Sequence, residues 1–107
     1  MRDELNKNRK STDDECLVLN IDHSNNEGTH WTCLFIKDNK LVYFDSYGYA
    51  PPLEVLDYYK GKNRSYNTFK IQKYGVMCGH YCIYVLYRLS NGYDFYDILD
   101  ELFRINN

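Results

Sequence analysis

Three short runs of apolar residues in the first half of the chain predict β-strands. The runs cover 16–22, 29–36 and 41–44 and are rich in β-branched and aromatic side chains, the composition that strands favour. A short Asp-Asn turn within the sequence KDNK separates the second run from the third, which predicts a hairpin. Past Thr32 both faces of these strands are largely apolar, so we expect the hairpin to be covered on both sides.

The second half of the chain has mainly helical patterns. Two prolines precede a predicted helix over 53–60, and a further strand is predicted over 68–72. Residues 78–89 are apolar around most of the helix circumference, which is typical of a buried helix. A last amphipathic helix is predicted over 94–105, with apolar residues at helical spacing at Phe95, Ile98, Leu99, Leu102 and Phe103.

The mixture of strands and helices predicts an α+β fold in a single domain that spans residues 1–107. Hydrophobic residues make up 44% of the chain and charged residues 26%, as in globular proteins. A chain of this length can bury one modest core. Residues 1–15 are interpreted as a charged lead-in, because nine of them are charged and only Met1 and Leu5 are apolar.

Charge and terminal composition narrow the expected partners and compartment. The formal net charge is −2 and basic residues do not cluster beyond 7–10, so nothing in the composition indicates nucleic-acid binding. No apolar run is long enough to predict a membrane span. The beginning of the chain lacks the apolar centre of a secretory signal, so an intracellular, reducing setting is expected. The four cysteines are then free thiols rather than two disulfides.

Cys78 begins the predicted buried helix in the sequence CGHYC, and several roles are open for it. A metal site needs four convergent ligands, but on a helix Cys78 and Cys82 share a face while His80 points away, so no metal is expected. Cys82 and Cys33 lie inside apolar runs and are interpreted as core residues. At a helix N-terminus, unpaired N–H groups and the dipole favour a thiolate, and cysteines so placed have a pKa of roughly 3.5 to 7.5 instead of about 8.5. The position of Cys78 therefore suits a nucleophile.

A nucleophilic thiol needs a base, and His30 is the candidate. His30 begins one strand of the predicted hairpin and Asp45 follows the end of the other, so the hairpin makes them cross-strand neighbours. A carboxylate beside the imidazole would fix its tautomer and stabilise an imidazolium paired with a thiolate. Gln72, shortly before Cys78, could donate its side-chain amide to a developing oxyanion. Taken singly, His30 and Asp45 also fit a satisfied polar pair at a sheet end, and that alternative stays open.

Four motifs together carry a resemblance to a known family. The sequences GTHW, FDSYG, IQ and, after five further residues, CGHYC resemble the adenovirus-type (adenain-like) cysteine proteases, in the branch found in viruses and polinton-like transposons. The wider clan includes the ubiquitin-like protein proteases, which share the order His, Asp, Gln, Cys. The match covers about 19–89, most of the chain. By this resemblance Cys78 is the nucleophile, His30 the general base, Asp45 its orienter and Gln72 an oxyanion donor.

The resemblance implies both a fold and an activity. The fold is a papain-like core with permuted catalytic order, in which a small mixed sheet packs against a buried helix carrying the nucleophile. The activity is that of a cysteine endopeptidase that needs no cofactor and cleaves viral or mobile-element precursors, polyproteins or capsid proteins, at glycine-containing sites. Trp31 would form a wall of the narrow cleft that favours glycine; a plain core tryptophan is the alternative, and both roles are compatible.

Partners and compartment follow from the same resemblance. A monomer is expected, located in the host nucleus or cytoplasm or in the virion, and not secreted. Adenovirus enzymes are stimulated by a peptide and by DNA, so these activators are implied by resemblance alone. Family members usually carry helices before the histidine strand, whereas the region here is short and charged. The domain is therefore expected to be minimal or truncated at its N-terminus.

Two other functions remain open. A peptidase that removes ubiquitin-like modifiers of the SUMO or NEDD8 type would use the same chemistry next to glycine, and only substrate tests separate it from a maturation protease. A catalytically inactive binding module of the same fold is the alternative from another class. The intact set of four residues favours activity, and the missing N-terminal elements favour the module.

Overall fold

The computed structural model describes residues 5, 14–21, 30–59, 61, 63–71 and 78–105, and the side chain of Cys78 is outside this description. The described residues form an α+β fold, as predicted, with a small mixed sheet and helices. Their elements are, in chain order, β1 Glu15–Asn20, β2 Trp31–Lys37, β3 Lys40–Phe44, α1 Leu53–Tyr58, β4 Asn63–Tyr66, α2 Cys78–Ser90 and α3 Phe95–Ile105. Most of the lead-in predicted over 1–15 lies outside the described residues.

The sheet has the strand order β1-β2-β3-β4, with antiparallel β1–β2 and β2–β3 pairs and a parallel β3–β4 pair. The predicted hairpin is confirmed: Asp38 and Asn39 join β2 to β3, and their φ angles of 52° and 62° are both left-handed. Two such residues give a type I′ turn, whose twist matches that of the paired strands. The turn makes Lys37 and Lys40 the closing pair and thereby fixes the register of the whole ladder.

Apolar side chains cover both faces of the hairpin, as predicted. Cys33 and Phe35 of β2 face a hydrophobic cluster built with α2 and α3, whereas Leu34 and Ile36 face a second cluster built with α1. This alternation is that of a strand buried on both sides. Each buried leucine, isoleucine or phenylalanine stabilises the fold by roughly 1.5–3 kcal/mol. The hairpin therefore lies between the two hydrophobic clusters, at the centre of the fold.

α2 confirms a predicted helix, but it is buried on one face only. Cys82 and Val85 are inaccessible and belong to the cluster shared by β2, β3 and α3. On other sides of the helix, Ile83 and Tyr87 are 63% and 66% exposed. The prediction of a helix buried around most of its circumference is wrong because no described element covers this outer surface.

α3 confirms the predicted amphipathic helix and buries Phe95, Ile98, Leu99 and Leu102. Phe103, which shares the predicted apolar spacing, is half-exposed, and its ring contacts the ring of Phe69 edge to face. In the part of the chain that the structure describes, no helix is long and apolar enough to cross a membrane.

The strand predicted over 68–72 is wrong, and the fourth strand lies a few residues earlier. β4 ends at Tyr66, residues 68–71 are in neither a helix nor a strand, and residue 72 lies outside the described residues. β4 is a largely exposed edge strand that is held by backbone pairing to β3, so its polar sequence has no hydrophobic periodicity. The helix predicted over 53–60 also ends early, because Tyr59 is extended (φ −99°, ψ 109°) and buried in the second cluster.

Candidate catalytic site

His30 and Asp45 form a buried pair at one end of the hairpin. His30 immediately precedes β2, and Asp45 immediately follows β3. Nε2 of His30 lies 2.6 Å from Oδ1 of Asp45, and the two residues are 6% and 1% exposed. A bond of this length between a buried imidazole and a carboxylate is in the charge-assisted class. The predicted proximity of the two residues is confirmed, whereas their catalytic role stays a prediction.

Asp45 is held by bonds to its carboxylate and to its backbone. The same Oδ1 atom accepts a hydrogen bond from the backbone N–H of Tyr47 at 2.8 Å. The buried side chain of Asn67 accepts from the Asp45 N–H at 3.2 Å, and its Nδ2 donates to the Asp45 carbonyl at 2.6 Å. Nδ2 also donates to the carbonyl of Phe69 at 3.1 Å. The carboxylate is therefore oriented by the fold itself, before any ligand arrives.

The ring of Tyr47 lies flat against the imidazole of His30. The ring centroids are 4.3 Å apart and the planes differ by 8°. The turn that carries Tyr47 is fixed by Gly48, whose φ of 80° is left-handed. A Cβ at Gly48 would lie 2.6 Å from the carbonyl carbon of Phe69, so a larger residue cannot take this place without backbone movement. The imidazole thus has one edge bonded to Asp45 and one face covered.

The second ring nitrogen of His30 is in a different situation. Nδ1 is buried and has no hydrogen-bond partner among the described residues. In the neutral tautomer that donates from Nε2 to Asp45, Nδ1 carries the lone pair of the ring. An unsatisfied buried polar atom costs roughly 1–3 kcal/mol, and such atoms are rare in native proteins. An acceptor in this state is what a general base requires.

The first turn of α2 lies beside the beginning of β2, next to His30. The Cys82 thiol donates to the carbonyl of Trp31 at 3.4 Å. A Cβ built on Gly79 would lie 3.7 Å from Cδ1 of the Trp31 indole. Cys78 is the first residue of α2 and precedes Cys82 by about one helical turn, which is about 6 Å along the axis. The backbone of the predicted nucleophile is therefore at the end of the sheet that carries His30.

The remaining predictions have mixed outcomes. Trp31 is 42% exposed and is not a core tryptophan. Gln72 and the side chain of Cys78 lie outside the described residues, so their places in the site stay predictions.

Cys33 and Cys82 are buried free thiols, as interpreted from the sequence. Burial, followed by a hydrogen bond to Cys82, raises the pKa of the Cys33 thiol well above its ordinary value. Among the described residues, no three His, Cys, Asp or Glu side chains are grouped as metal ligands.

Sequence reasoning missed two residues of this site, Tyr47 and Asn67. Tyr47 could have been found by extending the hairpin register beyond the pair Cys33 and Phe44, because the extension places it opposite His30. Asn67 gave no such signal, since it reaches Asp45 only when β4 pairs with β3.

Comparisons of the chain with protein-family models, with curated proteins and with solved structures gave no match. A functional proposal for this chain is therefore based on the geometry around His30 and on the motifs in the sequence.

Proposed function

We propose that the chain is a cysteine-type endopeptidase in which Cys78 is the nucleophile and His30 is the general base. The main support is the buried His30–Asp45 pair, in which the imidazole keeps Nδ1 without a partner among the described residues. A purely structural histidine would be expected to have both ring nitrogens satisfied. The beginning of α2 adds support, since it brings the backbone of Cys78 to the same end of the sheet.

In the proposed reaction His30 first accepts a proton from the thiol and then donates a proton to the leaving amine. Nδ1 takes the proton of the Cys78 thiol, and the thiolate attacks the carbonyl carbon of the scissile peptide bond. The C–N bond of the tetrahedral intermediate then breaks, and the imidazolium gives its proton to the leaving amine. A water molecule then gives a proton to Nδ1 and attacks the thioester carbonyl; the C–S bond breaks, the acid is released, and the imidazolium returns its proton to the Cys78 thiolate.

The other predicted residues have supporting roles in this proposal. Asp45 holds the proton on Nε2 throughout and stabilises the imidazolium, a role for which its fixed Oδ1 is suited. By resemblance, Gln72 donates to the oxyanion beside the backbone N–H of Cys78. Loss of one such donor typically slows a reaction by about 100- to 1,000-fold.

The proposed substrates are precursor polyproteins or capsid proteins of a virus or mobile element, cleaved next to glycine. This part of the proposal comes from the resemblance. The position of Trp31 supports the preference for glycine, because its half-exposed indole lies close to Gly79 at the N-terminal end of α2. A flat aromatic wall near the reacting group leaves more room for a glycine than for a larger residue. Glycine-containing precursor peptides and carboxyl-terminally extended ubiquitin-like modifiers would separate the two substrate classes.

Alkylation by iodoacetamide as a function of pH, with peptide mapping of each cysteine, tests the proposal directly. We expect Cys78 to react near neutral pH much faster than the exposed Cys16, because a thiolate–imidazolium pair makes it nucleophilic. Cys33, whose pKa is raised by burial, should react slowest. His30→Ala should reduce the rate at Cys78 and leave Cys16 unchanged. If Cys78 follows Cys16 across the whole pH range in the folded chain, the proposed nucleophile and base are wrong.

A further inference from the structure

A groove lies at the other end of the hairpin, away from the candidate catalytic site. Its volume is about 670 Å³, which is within the range of ligand pockets, roughly 300–1,000 Å³. It begins near Lys37 at the far end of β2, so roughly 20 Å of extended strand separates it from His30. The apolar residues that line it include Phe35, Val42, Leu89 and Phe95.

Two lysines lie side by side at this end of the groove. Lys37 and Lys40 are the closing pair of the hairpin, and both are exposed. Like charges in directly opposed strand positions destabilise a hairpin. Among the described residues, neither lysine takes part in an ion pair. A residue pair that breaks a local stability rule without compensation is typical of a functional surface.

The acidic residues that line the groove are fewer than the basic ones. Asp94 keeps its negative charge, and its carboxylate is held in place by hydrogen bonds from the backbone N–H groups of Tyr96 at 3.1 Å and Asp97 at 3.4 Å at the beginning of α3. Asp38, on the turn, is in no ion pair within the described part of the chain. With Arg64, the residues that line the groove include three basic and two acidic ones.

Aromatic residues complete the rim of the groove. Tyr93 is 52% exposed and Tyr96 is 61% exposed. The guanidinium carbon of Arg88 lies 3.9 Å from the ring centroid of Tyr93, and Arg88 is itself paired with Glu101 at 3.0 Å. Tyr93 is therefore held in place by a neutralised cation, and the Arg88 charge is not available to a ligand. Half-exposed tyrosines are enriched in protein interfaces.

We propose that this groove is a docking site for an acidic segment of a partner protein. Carboxylates of the segment meet Lys37 and Lys40, and apolar side chains between them enter the groove over Phe35 and Val42. A nucleic acid fits less well, because phosphate binding uses an extended cationic face and the lysine pair stands at one end of the groove only. Docking does not depend on the thiol chemistry proposed for Cys78.

The test is a binding measurement on the full chain carrying Cys78→Ala, which prevents any cleavage of the probe. The probe is a short fluorescein-labelled peptide rich in glutamate with interspersed leucines, followed by fluorescence anisotropy. We expect binding that weakens roughly three- to tenfold in the Lys37→Gln/Lys40→Gln variant. Added salt should weaken the parent more than the variant. The melting temperature of the variant should be equal or higher, since a like-charge pair is removed, so lost binding would not reflect misfolding.

Matched control variants show whether the peptide binds at the groove or only through non-specific charge attraction. Lys70→Gln/Arg104→Gln removes the same charge outside the groove and should leave affinity within about twofold. An equal loss in both double variants, or no binding at low salt, would overturn the proposal. Tighter binding of a single-stranded oligonucleotide with the same lysine dependence would also overturn it, in favour of a nucleic-acid site.

Discussion

The two ends of the β2–β3 hairpin accommodate charge in opposite ways. At one end, Asp45 is almost completely buried, and its carboxylate bonds His30 and a backbone N–H. At the other end, Lys37 and Lys40 face each other in water and pair with no described residue. A buried charge without partners would cost several kcal/mol, whereas exposed charges cost little when they stay alone. Burial therefore explains why one end is so heavily constrained and the other is not.

This difference separates the uses that each end can have. The constrained end holds an imidazole in one orientation with one nitrogen unpartnered among the described residues, which suits chemistry that requires fixed geometry. The exposed end offers charged side chains beside a partly apolar groove, which suits recognition, where electrostatics steers the encounter. Changes at the first end should alter rates or stability strongly, and changes at the second should alter them weakly.

The largest expected effect is that of Cys78→Ala on peptide cleavage. If Cys78 is the nucleophile, its removal should lower kcat/KM by roughly 10⁵-fold or more, the size seen when a nucleophile is deleted from such a set. Cleavage of a glycine-containing peptide is the measurement, and circular dichroism checks the fold.

Cys82→Ala is the matched control for Cys78→Ala. Cys82 is a fully buried thiol on the same helix, so its truncation leaves a small cavity and should cost about 1–2 kcal/mol of unfolding free energy. Its kcat/KM should change by less than about twofold. The opposite pattern, a folded but inactive Cys82→Ala with an active Cys78→Ala, would transfer the nucleophile to Cys82.

Asp45→Asn should produce a folded but slow enzyme. Because the N–H of Tyr47 already bonds Oδ1, the asparagine oxygen is expected to stay in that place and to keep accepting from Nε2 of His30. Orientation is then retained and only the negative charge is lost. We expect kcat/KM to fall by about 10- to 100-fold, since charge-assisted bonds are about twice as strong as neutral ones.

Asp45→Ala separates the orientation of His30 from the charge of Asp45. It removes both contributions and should be slower than Asp45→Asn. Equal rates for the two variants would show that orientation contributes nothing, and full activity in either would remove Asp45 from the mechanism.

Asn67→Ala should lower stability at the constrained end. The substitution leaves the buried N–H of Asp45 without its partner, which costs about 1–3 kcal/mol of unfolding free energy in urea. Asn91→Ala is the matched control, because its side chain also bonds a backbone carbonyl but is exposed, so its cost should be well under 1 kcal/mol. Similar losses in the two variants would mean that Asn67 does not hold Asp45.

The parts of this molecule that the sequence predicted correctly depend on local signals. The alternation along β2 and the Asp38–Asn39 turn together determine the hairpin, and the hairpin alone brings His30 to Asp45. Turn chemistry and side-chain periodicity act over a few residues, so a single sequence displays them. The amino-acid sequence alone is therefore sufficient to locate half of the candidate site.

The parts that were missed depend on contacts between distant segments. β4 pairs with β3 through its backbone and is polar, so neither propensity nor periodicity marks it. Asn67 and Asp45 meet across 22 residues because β4 adds in parallel to the sheet. The outer surface of α2 was predicted to be buried because its composition is apolar, yet burial depends on which neighbours reach it. Tertiary pairing of this kind leaves little trace in one sequence.

The smallest expected effect is at the exposed end, where Lys37→Gln should stabilise the chain. Removal of one partner of the like-charge pair should raise the unfolding free energy by about 0.2–1 kcal/mol. Lys40→Gln should act similarly, and the double variant should gain much less than the sum, since one repulsion cannot be removed twice. High salt should erase these gains by screening. Additive gains that survive high salt would mean that strand propensity, rather than repulsion, explains them. A measured repulsion would mean that the lysine pair lowers the stability of the hairpin. Such a loss is expected if the groove needs both charges to bind an acidic partner.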